Sequence, residues 1–255
     1  MDGSVRSIWR HPVKGFTPEP LQTVKLCAGA CFPFDRRYAV EDGPSGFDPS
    51  APKHISKQKF TVLAKIPAVA RVRTRMDDET GLFEASFDGE RPIRVCLDHE
   101  AGREAFALWL AEVLGEEARG RLRVLPAPGA HRFMDDEGGF ISIINLESVR
   151  DLAQRIGRPV DARRFRANLY VEGWPAWAEN ETVGRRLRIG EAEVEVFKPI
   201  VRCVATHVDP DTGERDIDLV PSLFETYGHR FCGIYGTIVQ GGRISIGDAA
   251  VLMAA

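Results

Sequence analysis

The chain is poor in cysteine, and its few cysteines are scattered. The 255 residues contain five, and no two of them form a Cys-x-x-Cys pair. No four cysteines and histidines have the spacing of a structural zinc site, and no cysteine run has the spacing that holds an iron–sulfur cluster. An odd, unpaired set is typical of a reducing compartment. The sequence therefore argues against a disulfide scaffold, a protein-only zinc site and an iron–sulfur protein.

Long apolar runs and an excess of positive charge are also missing. No stretch approaches the roughly 18 consecutive apolar residues of a membrane-spanning helix, and MDGSVRSIWRHPVKGF at the start has no apolar core typical of a signal peptide. The formal net charge is −3 at pH 7, so no overall field recruits nucleic acid or an anionic membrane. We therefore expect a cytoplasmic protein with neither a nucleic acid nor a membrane as partner.

Lysine is scarce, and arginine takes its place. Only seven of the 34 basic residues are lysine, so 27 are arginine. Codon usage alone can account for that total. Guanidinium groups nevertheless suit phosphate and carboxylate recognition, so the places where arginines cluster matter more than their number.

The pattern of the chain predicts an α+β fold that is predominantly β. The first ninety or so residues are short β-type runs broken by proline and glycine, among them FTVLAKIPAVARVRT, which looks like two strands. GLFEASFDGERPIRVCL has the form of a hairpin with a turn at Asp88-Gly89. We place a domain boundary near residue 120, which gives two β-rich units, 1–120 and 121–255.

Two helices interrupt the strands. The first carries apolar residues at helical spacing from Phe106 to Leu114 and ends at Gly115. The second begins with Asn145 as its N-cap and ends at Gly157. Strands return from residue 160 onward, with a second hairpin predicted at Gly241-Gly242.

The segment RRFRANLYV collects two arginines and an amide. In an extended chain, side chains alternate between faces, so Arg164, Arg166 and Asn168 would share the face opposite the core. Two guanidinium groups at that spacing repel each other unless water or an anion separates them. A solvated strand face is one interpretation, and a phosphate held by charge-assisted hydrogen bonds is the other. The helix start at Asn145 adds free N–H groups that favour an anion, although any helix start does so.

Cys203 stands in a β-branched run that ends in DPDTG. The simplest interpretation is a small buried hydrophobe. Its neighbour Arg202 favours the thiolate form, which suits a soft, sulfur-loving metal. Since no second cysteine–histidine set lies nearby, such a metal would have to arrive already chelated by an organic, phosphorylated ligand. Lys14 in HPVKG, Arg36 in DRRY and Lys57 in HISKQ are ambiguous when taken singly, because exposed basic residues are common.

Several motifs in order resemble the MOSC family. They are HPVKG, DRRY, HISKQ, RRFRANLYVEG, RLRIG, RCVATHVDPDTG and CGIYGTIVQGGRISIGD. The resemblance is to the two-domain branch that includes amidoxime-reducing components, and it spans nearly the whole chain. It implies an N-terminal β-barrel-like domain followed by a MOSC β-barrel domain with a few helices.

The resemblance also implies a cofactor and its binding residues. The cofactor is the molybdenum cofactor, Mo-molybdopterin, a pterin dithiolene with a terminal phosphate, and Cys203 would be the protein's ligand to the metal. The residues that would contact the cofactor are Lys14, Gly15, Arg36, Lys57, Asn145, Arg164, Arg166, Asn168, Arg202 and Thr206. Gly15 departs from the family pattern, where a serine often stands.

The activity implied by the resemblance is reduction of an N-hydroxylated small molecule. Oxygen would leave as water, with Cys203 as the metal ligand and His207 and Asp209 as candidates for proton delivery. Because the sequence has neither a flavin fingerprint nor iron–sulfur spacing, electrons would come from separate donor proteins, such as a flavin reductase with a haem or iron–sulfur carrier.

Two other functions also fit the sequence. Cys203 could carry a persulfide, or hold the cofactor in transit to another enzyme, which would make the protein a carrier or sulfur-transfer module. Alternatively, the chain is a β-rich binding protein with an ordinary buried cysteine and no metal.

Overall fold

A computed structural model describes residues 1–138 and 140–254. Within those residues the chain forms fifteen strands and three α-helices. The strands are β1 (Asp2–Arg10), β2 (Glu19–Leu21), β3 (Thr23–Leu26), β4 (Tyr38–Asp42), β5 (Val72–Met76), β6 (Leu82–Phe87), β7 (Ile93–Cys96), β8 (Leu122–Pro126), β9 (Ile141–Asn145), β10 (Leu169–Glu172), β11 (Arg186–Ile189), β12 (Ala192–Val201), β13 (Phe231–Gln240), β14 (Gly242–Ser245) and β15 (Ala249–Leu252). The helices are α1 (Glu100–Leu114), α2 (Leu146–Ile156) and α3 (Leu219–Tyr227). The predicted α+β class, predominantly β, is confirmed.

Seven strands close a barrel. Their order is β10-β9-β13-β12-β11-β15-β1, and β1 pairs back onto β10 to complete the ring, while β2 adds to the edge of β1. All the pairings in the ring are antiparallel except β9 with β10, which are parallel because α2 connects them as a crossover. Alternating apolar residues of these strands, such as Val194 and Ile234, fill the barrel interior.

A second lobe packs beside the barrel. It contains the pair β4–β8, the antiparallel sheet β5–β6–β7, and α1, whose buried face includes Phe106 and Leu110. Helices α2 and α3 cover the outside of the barrel through a third apolar cluster around Leu152 and Leu223. Of the helices that the structure describes, none combines the length and apolarity needed to span a lipid bilayer.

The domain boundary near residue 120 does not separate the strands of the barrel. β1 lies in the first unit of the predicted division but completes the ring formed by strands of the second. Similarly, β14 pairs with β3 and not with β13, so the hairpin predicted at Gly241-Gly242 is wrong. Gly241 allows this pairing because a Cβ there would lie 2.7 Å from the carbonyl oxygen of Leu26.

Local signals identified most other elements. The Asp88-Gly89 hairpin forms between β6 and β7, and both residues have positive φ, as a tight hairpin turn requires. Asn145 caps α2 by accepting a hydrogen bond from the Glu147 N–H, and Gly157 ends it in the left-handed conformation. FTVLAKIPAVARVRT forms only one strand, β5, because residues 63–65 form a turn and Pro67–Arg71 form a 3-10 helix. Helix α3 was not predicted.

Candidate functional site

Two adjoining cavities lie between the barrel and the second lobe. Their volumes are about 280 and 50 Å³. Their combined volume falls at the lower end of the roughly 300–1,000 Å³ of a small-molecule site. Six residues line both: Arg36, Lys57, Asp135, Arg166, Cys203 and Ala205. The site therefore draws on both halves of the sequence.

Cys203 lies just after the end of β12, where the strand is irregular. Shifts in its register with β13 occur between Val196 and Lys198 and between Pro199 and Val201. Such bulges redirect side chains, and residues 198–203 form one wall of the larger cavity. Cys203 then caps a short 3-10 turn, and its carbonyl oxygen accepts hydrogen bonds from the N–H and the hydroxyl of Thr206 at 3.0 and 2.9 Å. The sulfur is partly exposed rather than sealed in the core.

A lysine from the other lobe holds this sulfur. Lys57 Nζ donates to Cys203 Sγ at 3.2 Å from a 3-10 turn that Ser56 caps. Burial lowers the pKa of Lys57, but the charges of Asp135 and Cys203 raise it by more, so its pKa is above the usual value. The ammonium group therefore stays charged beside the sulfur.

Two arginines in left-handed backbone conformation face each other across the lobes. Arg36 has φ 47° and Arg166 has φ 53°, a region that residues other than glycine occupy rarely and mostly at functional sites. Arg36 Nη2 donates to the Arg166 carbonyl oxygen at 3.0 Å, and Arg166 Nη2 donates to the Phe16 carbonyl oxygen at 2.7 Å. Asp35 pairs with Arg36.

Three cations of the site lack a carboxylate partner. Among the described residues, no carboxylate lies within 4.0 Å of Lys57, Arg166 or Arg202. Burial and the neighbouring Arg36 lower the pKa of Arg166 to about 10. Arg202 donates instead to the carbonyl oxygens of Cys232 at 2.7 Å and Phe165 at 2.8 Å. The cavities consequently carry unneutralised positive charge, which suits an anion.

Lys14 and Gly15 reach the smaller cavity from the end of β1. Lys14 is buried, and its Nζ donates to the Phe133 carbonyl oxygen at 2.9 Å and to Asp135. Burial lowers the pKa of Lys14 although Asp135 opposes the change. Gly15 has φ +90°, and a Cβ there would lie 2.8 Å from the carbonyl oxygen of Thr61. Only glycine fits this position without moving the neighbouring chain.

A buried histidine lies behind the two arginines. His11 is fully buried; its Nδ1 lies 3.4 Å from Asp35 Oδ1, and neither ring nitrogen has a hydrogen-bond partner among the residues that the structure describes. Burial and the charges of Arg36 and Arg166 lower its pKa to about 3, despite the nearby Asp35. The imidazole is therefore neutral.

Comparison with protein families identifies the chain. The model of the MOSC N-terminal beta barrel domain matches residues 2–120, and that of the MOSC domain matches residues 130–251. The chain is a MOSC-domain protein. The resemblance inferred from its motifs is thereby confirmed.

Named relatives of this MOSC protein fall into two groups. It is 31% identical over 125 residues to mitochondrial amidoxime-reducing component 1 of Homo sapiens, which covers 44% of this chain and 36% of the relative. It is also 40% identical over 83 residues to the molybdenum cofactor sulfurase of Caenorhabditis briggsae, which covers 32% of this chain and 12% of the relative. The chain thus spans little more than a third of the first relative's length and far less of the second's.

A solved structure, the YUAD protein from Bacillus subtilis, also resembles the MOSC protein. The similarity covers 98% of this chain and 94% of the other, with 14% sequence identity and a TM-score of 0.46. A similarity this distant supports no functional argument.

Nine of the residues predicted for the MOSC site do line the cavities, although their contact with a cofactor stays a prediction. They are Lys14, Gly15, Arg36, Lys57, Arg164, Arg166, Arg202, Cys203 and Thr206. The backbone that places Arg164 and Arg166 there is not the expected strand, however. Residues 162–165 form a 3-10 turn capped by Asp161 and Arg166 is left-handed, so β10 begins only at Leu169 and the alternating arginine face does not exist.

Arg164 is already neutralised by the protein. Its guanidinium donates to the His207 carbonyl oxygen, to Asp209 and to Asp216, each at 3.0 Å. The side chain is 3% exposed. Its contacts tie the 207–216 loop to the barrel, so little of its charge is left for a ligand.

Asn145 and Asn168 lie outside both cavity linings. The amide group of Asn145 donates to the buried Glu179 at 2.9 Å, so a carboxylate of the protein occupies the helix start that was expected to bind an external anion. Asn168 Oδ1 accepts hydrogen bonds from the N–H and hydroxyl of Ser142 at 3.0 and 2.9 Å. Since these side chains are satisfied within the protein, we leave them out of the candidate site.

The two residues predicted for proton delivery are also engaged elsewhere. His207 Nε2 accepts a hydrogen bond from the Val220 N–H at 3.2 Å, which leaves the ring beside α3. Asp209 Oδ1 accepts from the N–H groups of Asp211 and Thr212, both at 2.9 Å, and so closes the DPDTG turn. Neither residue lines a cavity, and the geometry gives both a structural role.

Sequence reasoning missed five polar residues that line the larger cavity: Asp135, Asp136, Ser142, Lys198 and Tyr235. Burial raises the pKa of Tyr235 to about 12, so its phenol stays protonated. The signals were weak: Tyr235 stands between Ile234 and Gly236 of β13, and the acid pair Asp135-Asp136 follows a loop of proline, glycine and basic residues.

Across residues 1–138 and 140–254, no group of three or more histidine, cysteine, aspartate or glutamate side chains could hold a metal ion. The site therefore offers one sulfur beside several cations.

Proposed function

We propose that this protein is a molybdenum cofactor-binding oxidoreductase that reduces N-hydroxylated small molecules. The observation that supports the proposal best is the position of Cys203, whose sulfur borders both cavities and accepts a hydrogen bond from Lys57 at 3.2 Å. Similarity to an amidoxime-reducing component over 44% of the chain supports the choice of substrate class.

The residues present fit a cofactor that brings its own chelating ligand. One protein sulfur and no further ligand set suit a metal already held by a pterin dithiolene. Cys203 would bind the metal, and the terminal phosphate of the cofactor would lie among Lys14, Arg36, Lys57 and Arg166. When bound, the cofactor would supply the two-electron redox chemistry.

The protein's own side chains would orient Cys203 and supply protons to the substrate. Lys57 fixes the sulfur from one lobe, and Thr206 fixes the carbonyl oxygen of Cys203 from the other. Reduction of an N–OH group consumes protons as water leaves. Tyr235 and Lys57 both line the larger cavity, whereas His207 and Asp209 do not, so position makes them the better candidates to donate to a substrate bound there.

Electrons would reach the site from separate proteins in the cytoplasm. The sequence lacks iron–sulfur spacing, and no flavin fingerprint is present. We therefore propose a flavin reductase acting through a haem or iron–sulfur carrier as the donor system.

The decisive experiment combines metal content with turnover. Protein purified from a host supplied with molybdate should contain molybdenum, give the fluorescence of oxidised pterin, and reduce benzamidoxime with an artificial electron donor. Cys203→Ser should abolish reduction. Cys96→Ser is the matched control, because Cys96 is also half-buried but lies in β7, outside both cavities. Full turnover by Cys203→Ser, or wild type without molybdenum and pterin, would contradict the proposal.

A second candidate function is a carrier or sulfur-transfer module that uses Cys203. The similarity to a molybdenum cofactor sulfurase, 40% identity over 83 residues, favours it. This function predicts that the protein holds the cofactor, reduces nothing, and passes cofactor or sulfur to an apo-enzyme. Activation of that apo-enzyme after mixing, together with no benzamidoxime reduction, would decide for the carrier.

A further inference from the structure

A primary amine and a thiol meet where the two lobes adjoin. Lys57 Nζ lies 3.2 Å from Cys203 Sγ, although the two residues are 146 positions apart in the sequence. Among the described residues, Lys57 Nζ donates no other hydrogen bond and has no carboxylate within 4.0 Å. Lys14, by contrast, is held by the Phe133 carbonyl oxygen and by Asp135. The amine of Lys57 is therefore close to the sulfur and free to move toward it.

The sulfur of Cys203 is open to small oxidants. It is partly exposed and borders both cavities, so a molecule the size of hydrogen peroxide can reach it. Each of the five cysteines is a free thiol. Solvent-accessible cysteines that lie beside lysine or arginine are the ones that peroxide oxidises to sulfenic acid.

A sulfenic acid beside an amine has a defined next step. Hydrogen peroxide converts the Cys203 thiol to S–OH and is itself reduced to water. A sulfenic acid condenses with a neighbouring nitrogen to a sulfenamide. The nitrogen of Lys57 attacks the sulfur, so the S–N bond forms as the S–O bond breaks. The ammonium group gives up two protons, one to the oxygen that leaves as water and one to the solvent.

We propose that Lys57 and Cys203 form a reversible sulfenamide cross-link when hydrogen peroxide reaches the cofactor-free protein. The bond joins the two lobes and stops the oxidation before the irreversible sulfinic acid. Dithiothreitol breaks it by attack on the sulfur, returning the thiol and the amine as the reagent becomes its own disulfide. The bond itself forms whatever the protein's function. Its consequence rests on the proposed function, because a sulfur bonded to Lys57 is not available to a metal.

Peptide mapping by mass spectrometry tests the bond directly. The full chain, purified from a host without molybdate, is treated with hydrogen peroxide and then alkylated with iodoacetamide. Because a modified Lys57 resists trypsin, we expect residues 54–59 to appear joined to residues 203–215. The joined mass should lie about 2 Da below the sum of the two peptides, since two hydrogens are lost. Dithiothreitol added before digestion should separate the peptides and restore cleavage after Lys57.

The variant Lys57→Arg keeps a cation beside the sulfur but removes the primary amine. It should give no joined peptide and about tenfold more Cys203 sulfinic acid than wild type, because wild type holds the competing amine in contact with the sulfur. Lys59→Arg is the matched control, since Lys59 lies in the same 3-10 turn and is exposed. This control should cross-link as wild type does. Circular dichroism checks the fold, and Lys57→Gln replaces a Lys57→Arg variant that fails to fold.

Three results would overturn the inference. One is oxidised wild type without the joined peptide. Another is a loss of two hydrogens confined to residues 203–215, which would assign the bond to a backbone nitrogen. The third is equal sulfinic acid in wild type and Lys57→Arg.

The outcomes also separate the cross-link from the proposed function. The joined peptide in a protein that never acquires molybdenum would refute the cofactor and keep the cross-link. Molybdenum-containing protein should give far less joined peptide, because its sulfur is already engaged; an equal amount would refute Cys203 as the metal ligand and keep the cross-link. If the protein acquires molybdenum but its cofactor-free form gives no joined peptide, only the cross-link is refuted.

Discussion

Arg164 and Arg166 are two positions apart, but exchanging each for methionine should affect a different property of the protein. Arg164 is bound by the carboxylates of Asp209 and Asp216 and by the carbonyl oxygen of His207. Arg166 makes one hydrogen bond to the Phe16 carbonyl oxygen and keeps its charge free for a ligand. Arg164→Met should therefore damage stability, and Arg166→Met should damage anion binding.

The size of the stability effect follows from burial. Removal of one partner from a buried ion pair costs about 3–5 kcal/mol. Asp209 and Asp216 are 26% and 29% exposed, so water can partly solvate them once Arg164 is gone. We expect Arg164→Met to lower the free energy of unfolding by about 2–4 kcal/mol, and the Tm by about 5–15 °C. Arg166→Met removes an unpaired cation whose pKa burial has lowered to about 10, so it should leave stability unchanged or raise it.

Urea unfolding and phenyl phosphate titration measure the two effects on the same samples. Arg164→Met should unfold at lower urea and, at a temperature where it is folded, bind phenyl phosphate within about threefold of wild type. Arg166→Met should bind at least about tenfold more weakly, because a charge-assisted contact is worth about 1.5–3 kcal/mol. If Arg164→Met loses as much affinity as Arg166→Met while staying folded, the distinction between loop anchor and ligand contact is refuted.

Three further predictions concern single positions. Asn145→Ala should lower the free energy of unfolding by about 2–4 kcal/mol in urea titrations, because α2 loses its cap and Glu179 a donor, with unchanged phenyl phosphate affinity. Gly15→Ser, although serine is common there in the family, should cost about 1–3 kcal/mol and weaken phenyl phosphate binding, because its Cβ would meet the Thr61 carbonyl oxygen at 2.8 Å. The pKa of His11 is about 3 in the folded protein against an ordinary value of 6.5 in the unfolded chain, so the unfolded chain binds the extra proton as pH falls between those values. Stability should therefore fall with pH below 6.5, and urea titrations from pH 7.5 to 5 should show His11→Gln losing less, by up to about 1.4 kcal/mol per pH unit.

Signals that act within a few residues predicted structure well. The cap at Asn145, the apolar stripe of α2 and the left-handed Gly157 all act within one helix, and that helix formed as predicted. The Asp88-Gly89 turn likewise joins two neighbouring strands. These features depend on little beyond local chemistry, so a sequence alone suffices.

Partners that lie far apart in the sequence were not predictable in this way. The Gly241-Gly242 pair has the composition of a hairpin, but β14 found a better partner in β3, at the other end of the chain. Asn145 begins a helix, which favours an anion, but the carboxylate of Glu179 already accepts a hydrogen bond from its side chain. A single sequence does not reveal which distant group competes for such a position.

The candidate site also combines residues that motifs predict with distant partners that they do not. Cys203 and the basic residues around it came from motifs, and they do converge on one pair of cavities. The carboxylates that decide which cation is free, Asp135 beside Lys14 and Asp209 beside Arg164, were not predictable as partners. The functional meaning of an arginine depends on that pairing, which only the folded chain supplies.

The position of β1 bears on how the protein is made. The strand is synthesised long before both its barrel neighbours, β10 and β15. The ring can therefore close only after β15 has emerged from the ribosome. A fragment that begins at residue 121 would leave the facing edges of β10 and β15 unpaired, and such open edges are prone to aggregation.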